Sequence, residues 1–412
     1  MNSPDSFTVL IGLDWGHREH AYALCTQTGQ RADGKVEHAP EKFHQWIADL
    51  KRRFPDRQIA VAVETSRGPI IHALLEHPCI TIFPIHPATS ARFRRAFTPS
   101  GAKDDTPDAR VLLELLEHHR DKLRPLQPED ALTRKMAGLV EARRKAVDRR
   151  TGLLNALTAA LRGYFPQAFA LVGEDLASPL ALDLLDRWPD LNALKAARPT
   201  TLRRFFYRHN VRRPECVAKR IEAVRVAVAL TNDEAAVAVG QAEVACLVAQ
   251  LRVLQKHIAQ FEAEITTAFK AHPEAYLFRE LPGAGPTLAP RLLVAFGTDR
   301  SRYPEAAALQ KYAGIAPVRE KSGDRIWIHW RWRAPRFLRQ TFHEWAGQTV
   351  VWCPWAKAYY QQQLRRGKAH HAILRALAFK WIRVLWKCWV TRTPYDESRY
   401  LATRDRRAQS AA

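Results

Sequence analysis

Two short apolar runs that each stop on a carboxylate narrow the folds open to this chain. Val9-Leu10-Ile11-Gly12-Leu13 ends at Asp14, and Ile59-Ala60-Val61-Ala62-Val63 ends at Glu64. Runs this short, rich in Val and Ile, predict buried strands. Each acid then sits where its strand leaves the sheet, the edge at which open α/β sheets bind ligands. Asp105 and Asp108 follow in Lys103-Asp104-Asp105-Thr106-Pro107-Asp108-Ala109. Four such acids converging would form an oxygen-rich site suited to Mg²⁺ or Mn²⁺. Asp105 and Asp108, three apart, equally suit helix N-terminal capping, and Asp104 is the register-shifted alternative to Asp105.

The surrounding pattern supports an α/β domain. Strands are expected at 7–13, 20–25 and 34–37, then a helix at 40–54 with Phe43, Trp46, Ile47 and Leu50 on one face. A strand at 59–63, a helix at 69–75 and a strand at 80–85 follow. A further helix starts near Thr106, a suitable N-cap with Pro107 at the first helical position. This order is that of a ribonuclease-H-like fold, although other α/β folds share much of it.

The middle of the chain reads as helical. Residues 128–164 are rich in Arg and Lys after Pro128. Residues 241–272 carry Leu247, Leu251, Leu254, Ile258, Phe261 and Ile265 alternately four and three apart. That seam suits a helical hairpin, an intermolecular coiled coil or packing within one chain. Beyond 272 the composition changes: nine of the 12 tryptophans lie after residue 320, interleaved with Arg and Lys. Such interleaving suits stacking and phosphate contacts with nucleic acid, through Arg331, Arg333, Arg365, Arg366 and Lys368. Trp381 with Leu377 and Leu385 falls on one helical face and reads as core.

At 412 residues the chain can hold two or three domains. Its 64 Lys and Arg against 42 Asp and Glu give a net charge of +22, which predicts a polyanionic partner. No apolar run approaches the ~18 residues of a membrane span. The first residues lack a signal-peptide pattern, so a cytoplasmic, nucleoid-associated protein is expected. Six scattered cysteines, with no C-x-x-C pair, read as reduced thiols.

Two loops complete the candidate set. Leu281-Pro282-Gly283-Ala284-Gly285-Pro286-Thr287 opens a helix, and its Gly283 and Gly285 expose backbone N–H groups in the manner of a helix-hairpin-helix grip on DNA phosphates. An ordinary interhelical turn has the same pattern. Ser322 lies in Arg319-Glu320-Lys321-Ser322-Gly323, flanked by Lys321 and Arg325. A serine hydroxyl can attack a phosphodiester where cations stabilise the developing charge. By composition alone such a serine is a turn residue.

Together, Leu-Asp-Trp-Gly, Val-Glu-Thr, Lys-Asp-Asp-x-x-Asp-Ala, Pro-Gly-Ala-Gly-Pro, Tyr-Ala-Gly-Ile-Ala-Pro and Lys-Ser-Gly resemble, in order and spacing, the DEDD transposases of bacterial insertion sequences, relatives of the Piv-type DNA invertases. The resemblance runs from about residue 8 to 400. It implies a RuvC-like metal-binding domain at 1–125, a helical coiled-coil region at 126–272, a mainly helical transposase domain at 273–395 and a basic tail at 396–412. It implies metal binding by Asp14, Glu64, Asp105 and Asp108, and attack on DNA by Ser322 through a phosphoserine linkage. It further implies a homo-oligomer in which one subunit's acids meet another's serine, and a bridge RNA that pairs with donor and target DNA. After Ser322 many members are Gly- and Lys-rich, whereas this chain has Ile326-Trp327-Ile328-His329-Trp330-Arg331-Trp332; His329 and Arg325 are candidates to assist the serine. The alternatives are a RuvC-like nuclease using metal-activated water, a Piv-like invertase, an actin-like or sugar-kinase-like ATPase and a non-enzymatic nucleic-acid binder.

Overall fold

The computed structural model describes residues 7–65, 68–97 and 105–402. Asp104 and residues 403–412 of the tail expected at 396–412 lie outside them. The chain forms two compact units, 1–128 and 129–412.

The first unit is built on five strands in the order β3-β2-β1-β4-β5. These are β1 (Phe7–Trp15), β2 (Glu19–Thr26), β3 (Arg31–Glu37), β4 (Gln58–Val63) and β5 (Ile80–Pro84). β1–β2 and β2–β3 are antiparallel, whereas β1–β4 and β4–β5 are parallel. Parallel neighbours need crossovers, supplied by α1 (Pro40–Arg53) and α2 (Pro69–Leu75). α1 buries Phe43, Trp46, Ile47 and Leu50, the four expected from 3.6-residue spacing.

Side chains alternate along the central strands. Val9, Ile11 and Leu13 of β1, with Ile59, Val61 and Val63 of β4, face α1 and α2. Ala60 and Ala62 pack on the opposite side against Leu112, Leu115 and Leu116 of α4 (Asp105–His119). Between β5 and α4 lies α3 (Pro87–Phe97), a helix absent from the expected order. Its segment, Pro87-Ala88-Thr89-Ser90-Ala91-Arg92-Phe93-Arg94-Arg95, has too few apolar residues at helical spacing to announce a buried face.

The second unit is helical apart from one hairpin. α5 (Ala131–Tyr164) and α11 (Glu234–Ala271) run antiparallel along their length. Thr133 Oγ1 lies 2.9 Å from His272 Nε2, Arg143 pairs with Glu262, and the Tyr164 ring lies against Gly240. The heptad seam is therefore satisfied within the chain: Leu247, Leu251, Ile258 and Ile265 are buried, and Leu254 and Phe261 half-buried. α11 is long and apolar enough by composition to cross a membrane, a property a core helix shares. Between the two lie α6 (Ala168–Val172), α7 (Pro179–Arg187), α8 (Leu191–Lys195), α9 (Pro199–Arg208) and α10 (Pro214–Val226), packed around Phe165, Leu184 and Phe206.

The remainder comprises α12 (Tyr276–Arg279), α13 (Gly285–Phe296), α14 (Ala306–Tyr312), a hairpin of β6 (Val318–Ser322) and β7 (Arg325–His329), then α15 (Arg336–Trp352), α16 (Pro354–Arg365) and α17 (His370–Thr391). Trp345, Trp381 and Trp389 are fully buried, and so are Leu377 and Leu385 beside Trp381. Each buried indole N–H has an acceptor: Pro282 O at 3.0 Å, Thr349 Oγ1 at 2.9 Å and Gly297 O at 2.8 Å, respectively. These rings are packing, as a buried indole with a satisfied donor should be.

Candidate functional site

The last paired residues of β1 and β4 are Leu13 and Val63. Asp14 and Glu64 each come one residue later, so the parallel register brings them to the same height at the sheet's C-terminal edge. Alternation turns both toward the α4 side, because Leu13 and Val63 face the other way.

α4 delivers the third acid through a close backbone approach. A Cβ on Gly12 would fall 2.0 Å from Ala109 O and 2.5 Å from Leu113 N, so only glycine lets this helix lie on β1. Near the start of the strand, Cys25, opposite Leu10, is 3.9 Å from Glu117 near the helix C-terminus. α4 thus runs back along β1 and sets its first turn, with Asp108, beside the end of the strand. Asp105 opens the same helix; its side chain lies outside what is described.

α3 covers this edge and contacts two of the acids. The Ser90 hydroxyl, 1 % exposed, donates to Glu64 Oε1, and the Arg94 guanidinium is ion-paired with Asp108. Ser90 and Arg94 are four apart on one helix, hence on one face. Neither was legible as a site residue, since their helix was not expected.

The carboxylates are hard oxygen donors, the chemistry a Mg²⁺ or Mn²⁺ ion requires. In the observed arrangement no three Asp, Glu, His or Cys side chains among the described residues lie close enough to hold an ion. The donors fit the cation in kind, and Asp108 is ion-paired with Arg94.

Beside Asp14 lies a cluster that the sequence did not flag. Trp15 stacks on its cross-strand partner His20, with ring centroids 3.8 Å apart and planes at 7°. His20 Nε2 lies 3.2 Å from His38 Nδ1, with Phe43 edge-on to both Trp15 and His20. Burial, then the neighbouring His38, lowers the His20 pKa to about 4, which keeps its ring neutral at pH 7. A histidine opposite a tryptophan across a strand pair was the available signal.

In the second unit, Ser322 ends β6 rather than lying in an open loop. It is the Cα partner of Arg325, and Gly323-Asp324 closes the hairpin. Gly323 has φ +58°, the left-handed conformation that the first central residue of a type II′ turn requires. A Gly-Asp pair between two extended runs is itself a hairpin signal. Ser322 shares one face with Glu320, Arg325, Trp327 and His329, while Lys321 and Arg319 point to the other with Ile326 and Ile328.

Of the two proposed assistants, only Arg325 is placed beside the serine. His329 pairs with Val318 at the far end of the hairpin, roughly 13 Å along the strand from Arg325. Its Nε2 lies 2.9 Å from Glu320 Oε1, and that hydrogen bond raises the His329 pKa. The hairpin is unusually apolar for an exposed element: Ile326, Trp327 and Ile328 are 49 %, 48 % and 71 % exposed.

The basic candidates divide by surroundings. Arg333 is exposed, as is the neighbouring Trp332, and Arg331 is half-buried. Arg365, Arg366 and Lys368 are exposed at the end of α16 and form no ion pair among the described residues. Trp330 is already engaged, with the Arg375 guanidinium 3.8 Å from its ring centre. Gly283 precedes α13 and Gly285 opens it; the turn is fixed to α15 by the Trp345 bond to Pro282 O.

Comparison with known proteins adds an independent line. Residues 11–166 match the transposase model DEDD_Tnp_IS110, and residues 275–361 match that of the transposase IS116/IS110/IS902 family. The IS117 mini-circle protein of Streptomyces coelicolor is 30 % identical over 97 % of this chain and 98 % of its own length. The 43.6 kDa protein of insertion element IS110 from the same species is 26 % identical, over 92 % of this chain and 93 % of that one. The 44.8 kDa protein of IS116 from Streptomyces clavuligerus is 27 % identical, over 92 % and 94 %. With acids gathered at one sheet edge, a basic exposed surface and near full-length similarity to insertion-element proteins, the chain belongs to the IS110/IS116 family of DEDD insertion-element transposases.

Proposed function

We propose that this transposase cuts and rejoins double-stranded DNA as a homo-oligomer, with Ser322 as nucleophile and Asp14, Glu64, Asp105 and Asp108 as the holders of a divalent cation. The observation that carries the reading is the placement of Asp14, Glu64 and Asp108 at one edge and on one side of the sheet. The strand order, antiparallel through β3-β2-β1 and parallel through β1-β4-β5, supports a RuvC-like first unit. The turn at Gly283 and Gly285, opening α13, supports a helix-hairpin-helix contact with the DNA backbone. A bridge RNA that selects sites by base pairing belongs to the same reading and draws support from the +22 charge.

Ser322 Oγ forms a bond to phosphorus as it loses its proton, and the departing strand oxygen takes up a proton as its P–O bond breaks. Rejoining reverses these events with a different strand hydroxyl, so bond energy is conserved. Arg325, the cross-strand partner of the serine on the same face of the hairpin, neutralises the phosphate charge as it grows. A bound Mg²⁺ or Mn²⁺ would supply Lewis acidity and charge neutralisation at the acids.

Ser322→Ala should lower recombination at least about 1,000-fold, the scale on which a nucleophile acts, while nucleic-acid binding persists. A protein–DNA adduct that survives denaturation should form with the parent and not with the variant. Adduct-free strand cleavage by the parent would assign the chemistry to water instead.

A further inference from the structure

We propose that Arg94 is an intramolecular counter-cation, which competes with the divalent ion for Asp108, and that Ser90 orients Glu64 for that ion. The inference rests on the acid-site reading above and assigns α3 as the element that regulates it.

Three acids brought to one edge repel one another, and each carboxylate needs a positive or hydrogen-bonding partner when water is scarce. Asp108 is 8 % exposed, so it cannot rely on solvent. Arg94 answers that need from one turn beyond Ser90, with its own side chain only 19 % exposed. Its Nε, however, is buried with no hydrogen-bond partner among the described residues. The guanidinium is therefore left with an unused donor, whereas a bidentate clamp would engage two. A guanidinium also cannot deprotonate to leave, so it must move or be outcompeted.

A hydroxyl beside Glu64 acts differently. Ser90 carries no charge, and its single proton lies between Glu64 Oε1 and the Pro87 carbonyl oxygen 3.0 Å away, so it touches one carboxylate oxygen and leaves the remaining lone pairs to an ion. One helix face thus carries a competitor and a support. Because Arg94 rides on α3, the position of that helix sets how closely the cation sits to Asp108, which makes it a control point for ion loading.

The test is Mn²⁺ binding by the full chain without nucleic acid, followed by titration calorimetry and by the Mn²⁺-induced rise in melting temperature. Arg94→Met should bind Mn²⁺ about tenfold more tightly than the parent, the worth of one charge-assisted hydrogen bond. Its melting temperature without Mn²⁺ should fall, and Mn²⁺ should restore it. Arg94→Lys, which keeps the charge, should stay near the parent, and Ser90→Ala should bind more weakly. If Arg94→Met does not fold, Arg94→Gln preserves length and polarity and reads the same quantity. A purely structural Arg94 would give equal or weaker Mn²⁺ affinity in both neutral variants, and that result overturns the proposal. Asp14→Asn and Glu64→Gln separate the two levels. If they leave parental Mn²⁺ binding intact, the acid-site reading falls and the role of Arg94 falls with it.

Discussion

A methyl group on Gly12 would collide with the Ala109 carbonyl and the Leu113 amide, both backbone atoms that cannot swing aside. Gly12→Ala should therefore push α4 off β1 and carry Asp108 with it. Overpacking of this kind costs about 1–3 kcal/mol or more, measurable as a lower unfolding midpoint in denaturant. An unchanged midpoint would show that the helix does not depend on this approach. His20 gives a second residue-scale expectation. Its pKa is about 4 in the fold against an ordinary 6.5, so between those values the unfolded chain binds more protons. Stability should rise with pH across that window and be lost as pH falls through it. Melting temperatures between pH 4 and 7 should show a slope that flattens in His20→Gln. Among residues, the acids Asp14 and Glu64 were legible because strand-end position is a short-range property. Ser90, Arg94 and His20 were not, because their roles come from partners 26, 14 and 18 residues away.

At the scale of elements, the α5–α11 pair shows how far periodicity reaches. The a/d spacing in α11 identified a seam, but the same spacing serves a partner helix in the same chain or in another. The observed partner is α5, and the burial along α11 follows that contact. Leu251→Ala, at a fully buried position, should cost about 2–5 kcal/mol in denaturant unfolding. Val253→Ala, on a side chain 60 % exposed, should change stability by less than about 0.5 kcal/mol. Equal effects at the two sites would mean that Val253 is covered by a second chain. The hairpin β6–β7 was open to recognition through Gly323-Asp324, yet its apolar run has an ambiguous period and read as a loop with a tryptophan-rich continuation.

For the whole molecule, the decisive quantity is charge. A protein at +22 should bind nucleic acid mainly through phosphates, with affinity falling steeply with salt. If six to ten phosphates are neutralised, affinity should drop by about 10³–10⁵ between roughly 50 and 200 mM salt. Filter or fluorescence binding across that range checks it, and a flat response would argue against phosphate-led recognition. Replacing Arg365, Arg366 and Lys368 together should reduce the logarithmic slope by about three units, one for each lost phosphate contact.

By itself the sequence determined what depends on neighbours a few residues apart. It set the α/β character of the first unit, the strand ends that carry Asp14 and Glu64, the buried face of α1 and the basic surplus. Helical and strand periods, caps and net charge are all written locally, so they survive without coordinates. Tertiary structure alone decided which partner α11 takes, that Trp345 and Trp389 join Trp381 in the core, and that Arg94 and Ser90 meet the acids. Those outcomes depend on which surfaces exclude water together, a choice made only when distant segments compete for the same buried space.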